Sequence, residues 1–210
     1  MTEQEFLNKI FEQYQIAGNL LEGDGGYNIK RGLSHAVSGY VEDLFALYIA
    51  KKIGITNLQY LVDKTISFRP LLDLNRAVSF RPDLMILENN VMTHYFDLKT
   101  NLGWNRNLKD YLIKKNKFTK RLKTKDAWIT FDKNNKQNVK IANNIKYQMV
   151  VISGWNINQD ILSENLRLAD ELEHVSIHVL NAKNNLTGDF EINQVAFDEI
   201  HNSINNLIKA

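Results

Sequence analysis

The chain has 210 residues, of which 44% are hydrophobic and 24% charged, and its formal net charge is +2. So many apolar and aromatic side chains exclude a disordered protein and predict a single domain over 1–210. The absence of cysteine excludes disulfides, thiol catalysis and cysteine-bound metals, and the lack of a membrane-spanning apolar run or a signal-peptide pattern predicts a cytoplasmic protein without a membrane partner.

Hydrophobic periodicity predicts alternating helices and strands along the chain. Helices are predicted over 3–17, from Ser34 as N-cap to Ile53 before Gly54, and over 107–123, 160–173 and 194–208. Short strands rich in apolar and β-branched residues are predicted over 61–68, 81–88, 91–100, 127–131, 147–153 and 175–180. This order of elements predicts an α/β fold with a mixed central β-sheet flanked by helices.

The tetrapeptide Ser-Phe-Arg-Pro occurs twice between residues 67 and 82. Ser67-Phe68-Arg69-Pro70 is repeated as Ser79-Phe80-Arg81-Pro82, twelve residues later. The repeat is either a coincidence or a pair of strand entries, and the sequence alone leaves both interpretations open.

The most informative segment is the pair of strands on either side of Glu88-Asn89-Asn90, a tight-turn sequence that predicts a hairpin. Asp83 begins the first strand, and Asp97 and Lys99 end the second, so the hairpin brings these three side chains to one end. Asp97 and Lys99 are two residues apart, and they therefore share one face of their strand.

Two carboxylates and one ammonium group in one place leave a negative charge that a divalent cation compensates. Oxygen ligands favour Mg²⁺ over zinc. A Mg²⁺ ion there polarises a phosphate and activates a water for in-line attack, and Lys99 orients that water or stabilises the developing negative charge. The chemistry that these residues predict is phosphodiester hydrolysis, and the alternative is a surface ion cluster at a hairpin end.

These residues resemble the motif of the PD-(D/E)XK nuclease superfamily, with Pro82-Asp83 and Asp97-Leu98-Lys99 in its two positions. The resemblance covers about residues 34–125 and implies a restriction-endonuclease-like core over about 34–155, with an added N-terminal helix and a C-terminal α/β segment. It implies that Asp83, Asp97, the backbone carbonyl of Leu98 and an acid from the preceding helix bind Mg²⁺, with Mn²⁺ as a substitute and without an organic cofactor.

Glu42 is the acid of the preceding helix that fits this role. Small or apolar side chains predominate on its side of the helix, which is shared by His35, Ser38, Gly39, Ala46 and Ile49. An acid among such neighbours can approach the sheet or a phosphate, whereas Asp43 points about 100° away. We predict that Glu42 is a catalytic residue and metal ligand; the alternative is an exposed helix acid.

The small net charge conceals a basic segment. From Lys99 to Lys125 ten residues are basic and only Asp110 is acidic, which leaves the rest of the chain at −7. On the helix predicted there, one side is apolar: Leu108, Tyr111, Leu112, Phe118 and Leu122. The opposite side carries the predicted DNA contacts Lys109, Lys114, Lys117, Lys120 and Arg121, with Lys115 as an exception. Such cations bind DNA phosphates without recognising the base sequence. The alternative interpretation of the basic segment is a solvated lysine-rich helix.

Trp104, Asn105 and Arg106 follow the second hairpin strand directly and are also predicted to contact DNA. Arginine and asparagine suit bidentate readout of guanine and adenine. The alternative for Trp104 is a place in the core.

The predicted function is a Mg²⁺-dependent endonuclease that cleaves double-stranded DNA, in particular a type II restriction enzyme of a bacterial or archaeal cell. The resemblance and the compact size imply this class, which in turn implies a homodimer. Dimer and base contacts are expected in the N-terminal helix, in 101–107 and in 132–146. Two alternatives stay open: a structure-specific repair or recombination nuclease such as a junction resolvase, and an inactive nuclease-fold protein that binds nucleic acid or a protein partner.

Overall fold

The computed structural model describes residues 1–22, 37–55, 57–70, 76–102, 107–132, 135–184 and 187–208, which form five helices and ten strands. The helices are α1 (Glu3–Glu22), α2 (Ser38–Ile53), α3 (Leu108–Leu122), α4 (Gln159–Glu171) and α5 (Gln194–Ile208). The strands are β1 (Leu58–Val62), β2 (Ile66–Phe68), β3 (Val78–Phe80), β4 (Leu84–Glu88), β5 (Val91–Lys99), β6 (Asp126–Thr130), β7 (Lys136–Ile141), β8 (Tyr147–Ser153), β9 (Val175–Lys183) and β10 (Phe190–Ile192). No helix in these ranges is both long and apolar enough to cross a membrane.

These strands form one mixed sheet that branches at β5. One side of β5 pairs with β4, and β4 pairs with β1, both in antiparallel orientation. On the other side of β5 its second half pairs with β8 in parallel orientation, and β8 is followed by parallel β9 and antiparallel β10. The start of β5 pairs instead with β7, which leads through β6 and β2 to β3.

Apolar side chains cover both faces of the sheet. Helices α1, α2 and α5 pack on one face, where Phe45 and Phe197 are buried. Helices α3 and α4 pack on the other face, where Leu112 is buried. Successive residues of β8 alternate between the two layers, since Val150 belongs to the α1/α2/α5 layer and Val151 to the α3/α4 layer. The predicted α/β class, with a mixed central sheet flanked by helices, is confirmed.

The helix predicted to end at Gly54 does end there, because Gly54 adopts a left-handed φ of 66° and donates its N–H to Ala50 O. Helix α1 continues beyond 17 to Glu22. The predicted N-cap Ser34 lies outside the described residues, and the described part of α2 begins at Ser38.

The single strand predicted over 61–68 is wrong. Two strands, β1 and β2, occupy this region, because Asp63 adopts a left-handed backbone with a φ of 51° and turns the chain between them. The two strands then take different partners, β4 for β1 and β3 with β6 for β2. The next predicted strand, 81–88, begins only at Leu84.

Strands β3, β7 and β10 are absent from the prediction. Strands β3 and β10 have three residues each, and in β7 only Val139 and Ile141 are buried. Such short or largely polar strands have too little periodicity to be recognised.

The repeated tetrapeptide marks a pair of strands rather than a coincidence. Strands β2 and β3 are antiparallel neighbours in which Ser67 lies opposite Ser79. The two hydroxyl oxygens are 2.7 Å apart, within hydrogen-bond distance. The repeat therefore places its two serines opposite each other, whereas Phe68 lies opposite Val78 and Phe80 opposite Ile66.

The hairpin between β4 and β5 turns at Asn89 and Asn90, as predicted. Both residues have positive φ, 49° and 63°, as in a type I′ turn, and asparagine tolerates this conformation better than most residues. The turn brings Glu88 opposite Val91 and thereby aligns the two strands.

A β-bulge at Thr93 determines which way the rest of β5 faces. The pairing register across the hairpin shifts at this point. Beyond the bulge, Tyr95 packs in the α3/α4 layer and Phe96 in the α1/α2/α5 layer. By strand alternation, Asp97 and Lys99 point to the α3/α4 side together with Tyr95.

Candidate active site

The hairpin brings Asp83, Asp97 and Lys99 together at one end. Asp83 lies just before β4, and its Oδ2 accepts a hydrogen bond from the backbone N–H of Leu98 at 2.6 Å. The Lys99 Nζ donates to Asp97 Oδ1 at 2.5 Å. Two carboxylates and an ammonium group therefore share one end of the sheet, as the strand register predicts.

Two tyrosines hold the other oxygen of Asp97. The hydroxyl groups of Tyr111 on α3 and Tyr147 on β8 donate to Asp97 Oδ2 at 2.5 Å and 2.6 Å. The Asp97 side chain is only 15% exposed, and Tyr147 is fully buried. Asp97 is thus fixed from two elements other than its own strand, which gives its carboxylate a defined orientation.

Lys115 is the basic residue of α3 that faces this site. Its Nζ lies 3.8 Å from Asp97 Oδ2 and 4.6 Å and 5.2 Å from the ring centroids of Tyr147 and Tyr111. Burial lowers the pKa of Lys115, against the opposing effect of Asp97. Lys115, the lysine on the otherwise apolar side of α3, is therefore a second cation next to the carboxylates.

The two carboxyl groups have opposite electrostatic environments. Burial raises the pKa of Asp83 to about 7, against the hydrogen bond from Leu98, and the nearby Asp97 raises it further. Burial also acts to raise the pKa of Asp97, but Lys99 and the hydrogen bonds from Tyr111 and Tyr147 hold it below its ordinary value. Asp97 is thus the carboxylate that the protein keeps ionised, while Asp83 is easily protonated.

Glu42 lies half-buried on α2, and Asp43 is exposed, as the helical spacing predicts. Burial raises the pKa of Glu42, with further contributions from Asp63 and Asp43 that Arg81 and Lys99 oppose. The carboxyl group of Glu42 is therefore within electrostatic range of Lys99. Among the described residues, however, no three His, Asp or Glu side chains are arranged as a ready group of metal ligands, so Glu42 does not join Asp83 and Asp97 in a single cluster.

The donor set at this end of the sheet is made of oxygen atoms. Asp83 and Asp97 supply carboxylates, and the amide of Leu98 faces Asp83. Because the amide and carbonyl groups of one strand residue point to the same edge, the Leu98 carbonyl faces that edge too. Oxygen donors of this kind fit Mg²⁺ or Mn²⁺, and Lys99 covers Asp97 Oδ1 from one side.

Helix α3 separates its side chains as predicted. Leu108, Leu112 and Leu122 are buried in the α3/α4 layer. The five predicted DNA-contacting cations of this helix are exposed: Lys109, Lys114, Lys117, Lys120 and Arg121. The other predicted contacts, Trp104, Asn105 and Arg106, lie outside the described residues.

Three residues of the site are absent from the sequence-based prediction: Tyr111, Tyr147 and Lys115. Tyr111 and Lys115 stand four residues apart on α3, a spacing that places them on one side of the helix. A lysine on an otherwise apolar side was the signal available for Lys115. Tyr147 reaches Asp97 across 50 residues of sequence, and no local pattern marks it.

Compared with known proteins, the chain matches no protein-family model, no curated protein and no solved structure.

Proposed function

We propose that this protein is a Mg²⁺-dependent endonuclease of the PD-(D/E)XK type that hydrolyses phosphodiester bonds of double-stranded DNA. The observation that carries the proposal is the adjacency of Asp83, Asp97 and Lys99 at one end of the β4–β5 hairpin. The order of elements adds support, because α2 with Glu42 precedes the hairpin and α3 with its basic side follows it.

In this proposal Asp83, Asp97 and the Leu98 carbonyl hold the metal, and Glu42, which lies outside their cluster, contributes a negative charge within electrostatic range of Lys99. The bound metal would polarise the phosphate and supply an activated water. Lys99 orients the attacking water or stabilises the negative charge that develops on the phosphate. Lys115 adds a second positive charge on the other side of Asp97, and Tyr111 and Tyr147 keep the Asp97 carboxylate in place.

Within this class, a type II restriction enzyme that acts as a homodimer is the specific proposal. Its support is the combination of a compact chain with a basic helix directly after the proposed metal-binding strand. A homodimer would cut both strands of a palindrome. A structure-specific nuclease uses the same active-site chemistry, and an inactive DNA-binding protein has no need for the Asp83, Asp97 and Lys99 arrangement.

The direct test is incubation of the protein with long duplex DNA and Mg²⁺, followed by mapping of the product ends. We expect discrete fragments with a shared end sequence and no cleavage in EDTA. Cleavage of branched DNA alone would favour the structure-specific nuclease. If no DNA is cut over a range of metal and salt concentrations, the protein is not a nuclease of this kind.

The tyrosines around Asp97 give a further prediction. In Tyr147→Phe the ring stays but one donor to Asp97 Oδ2 is lost, and we expect Mn²⁺ affinity to fall roughly 10- to 100-fold, as for other outer-shell partners of metal ligands. Isothermal titration with Mn²⁺ measures this change.

The matched control is Tyr95→Phe, because the Tyr95 hydroxyl pairs with Thr119 instead of Asp97. Its Mn²⁺ affinity should equal that of the unmodified protein. Equal losses in both variants would mean that the loss of any buried tyrosine hydroxyl group, rather than of the hydrogen bond to Asp97, lowers metal affinity.

A further inference from the structure

A second groove lies at the turn end of the β4–β5 hairpin, whereas Asp83 and Asp97 lie at the opposite end. It encloses about 770 Å³ and is bordered by strands β6 and β7 and by the hairpin turn. The side chains that define it are Arg69, Asn90, Lys125, Trp128, Asn138 and Lys140. The active site described above uses none of them, so this groove has no role in the proposed hydrolysis step.

Trp128 is the central aromatic residue of the groove. Its neighbours on β6, Ala127 and Ile129, are buried in the α3/α4 layer, so strand alternation turns Trp128 to the opposite face of the sheet. There it lies opposite Ser67 of β2 and Asn138 of β7, both of which are small and polar. The indole ring is only half-buried and forms part of an open surface rather than of a core.

Positive charge surrounds this ring. The guanidinium of Arg69, an exposed side chain, lies 5.2 Å from the centroid of the Trp128 ring, a cation–π contact. Lys125 and Lys140 add two ammonium groups, and Asp126 is the acid among the residues that line the groove. Within the part of the chain that the structure describes, Arg69, Lys125 and Lys140 form no ion pair with a carboxylate, so their charge is available to an anionic ligand.

An aromatic platform beside lysine and arginine side chains matches the alternation of base and phosphate in a nucleic acid strand. The bases of an intact duplex are already stacked on each other, so a tryptophan in a groove stacks only on an unpaired base. We propose that this groove binds an unpaired strand of DNA, with a base on Trp128 and phosphates on Lys125 and Lys140. Arg69, which now covers the ring, pairs with the same phosphates or stacks on the base.

The choice of DNA as the ligand rests on the proposed nuclease function. The groove in turn narrows that function, because a site for an unpaired strand suits a substrate with a single-stranded part, such as a branch or an overhang. Strand binding in this groove, once measured, would count for the structure-specific alternative and against the type II proposal.

The test is fluorescence anisotropy with the full chain in EDTA, so that binding is measured without cleavage. The probes are a labelled DNA oligonucleotide of about 12 nucleotides, within the usual site sizes of single-strand binders, the same sequence as a blunt duplex, and the same sequence as RNA. We expect the single DNA strand to bind most tightly. Trp128→Leu should weaken that binding roughly 5- to 150-fold, the range that one stacked base supplies.

The charge contribution is tested separately with the double variant Lys125→Gln and Lys140→Gln, which changes solvent-facing side chains and avoids the loss of a large ring. We expect the negative slope of log affinity against log salt to become shallower by about 1.4 in the double variant. Each phosphate contact to a single strand contributes about 0.7 to the steepness of this slope. Matched controls lie at the other edge of the sheet: Phe190→Leu for the aromatic change and Lys183→Gln for the charge. Both should bind as the unmodified protein does.

The proposal is overturned if the variants and the controls bind the single DNA strand equally well, or if the duplex or the RNA binds more tightly than the single DNA strand. The nuclease proposal fails by a different result, the absence of Mg²⁺-dependent cleavage. Binding that depends on Trp128 in a protein that cuts nothing would retain the groove and reject the nuclease. Cleavage of blunt duplex together with no effect of Trp128→Leu on strand binding would retain the nuclease and reject the groove.

Discussion

Replacing Asp97 by asparagine is expected to reduce Mg²⁺-dependent DNA cleavage roughly 10³-fold, because in the proposed mechanism the charge of Asp97 holds the metal and contributes several kcal/mol of transition-state stabilisation. The change keeps the shape of the side chain and leaves an oxygen atom for the hydroxyl groups of Tyr111 and Tyr147. What it removes is the negative charge between Lys99 and Lys115. Metal affinity should therefore fall together with the cleavage rate.

Single-turnover cleavage of plasmid DNA measures the rate, and isothermal titration measures the metal affinity. Asp189→Asn is the matched control, because Asp189 is exposed in the segment before β10, and it should behave as the unmodified protein. Thermal unfolding of Asp97→Asn must be recorded as well, since Lys99 and Lys115 lose their shared counter-charge. A folded Asp97→Asn protein that still cleaves DNA at the original rate would show that Asp97 does not hold the metal.

The grouping of Asp83, Asp97 and Lys99 is predictable because local rules produce it. Asparagine at 89 and 90 accepts the positive φ that a two-residue turn needs, and this turn aligns the ends of the two strands. Alternation along β5 then places Asp97 and Lys99 on the same face. Neither step depends on residues far away in the sequence.

The partners of Asp97 depend on tertiary contacts that no local pattern encodes. Tyr147 approaches Asp97 because β8 pairs in parallel with the second half of β5. Lys115 approaches it because α3 docks on that face of the sheet, next to the rings of Tyr111 and Tyr147. Lys115 is recognisable in the sequence as an exception on its helix, but its contact with Asp97 forms only when the helix docks on the sheet.

The groove around Trp128 is also not predictable from local sequence patterns, because it depends on how the strands pair. Trp128 lies on β6, which the sequence predicts, but its surroundings include β7, which the sequence does not predict. Asn138 and Lys140 alternate with buried Val139 over only part of a short strand. An aromatic platform bordered by cations is therefore recognisable only once β7 is paired with β6.

Stability at mildly acidic pH is expected to depend on His94, a buried histidine of β5. Its Nε2 lies 3.2 Å from the backbone oxygen of Ser203 on α5, which fits a neutral ring that donates one hydrogen bond there. Burial lowers the pKa of His94 to about 4, although the hydrogen bond to Ser203 opposes the shift. In the unfolded chain the same ring has a pKa of about 6.5.

Between these two pH values the unfolded state binds a proton that the folded state does not, so stability falls as the pH decreases from about 6.5 to about 4. At about 1.36 kcal/mol per pKa unit, His94 alone lowers the free energy of unfolding by about 3 kcal/mol over this range. Above pH 6.5 both states carry a neutral ring, and no further change is expected from this group.

Urea unfolding at several pH values between 7 and 4 measures the effect in the unmodified protein and in His94→Gln, whose amide can also donate to Ser203 O. Carboxyl groups contribute equally to both proteins, so the difference between the two curves isolates His94. We expect that difference to change by about 3 kcal/mol between pH 7 and pH 4, with the unmodified protein losing more stability. Parallel curves would mean that His94 binds its proton as readily in the folded protein as in the unfolded chain, and an NMR titration of the His94 ring in the unmodified protein would then give a pKa near its ordinary value.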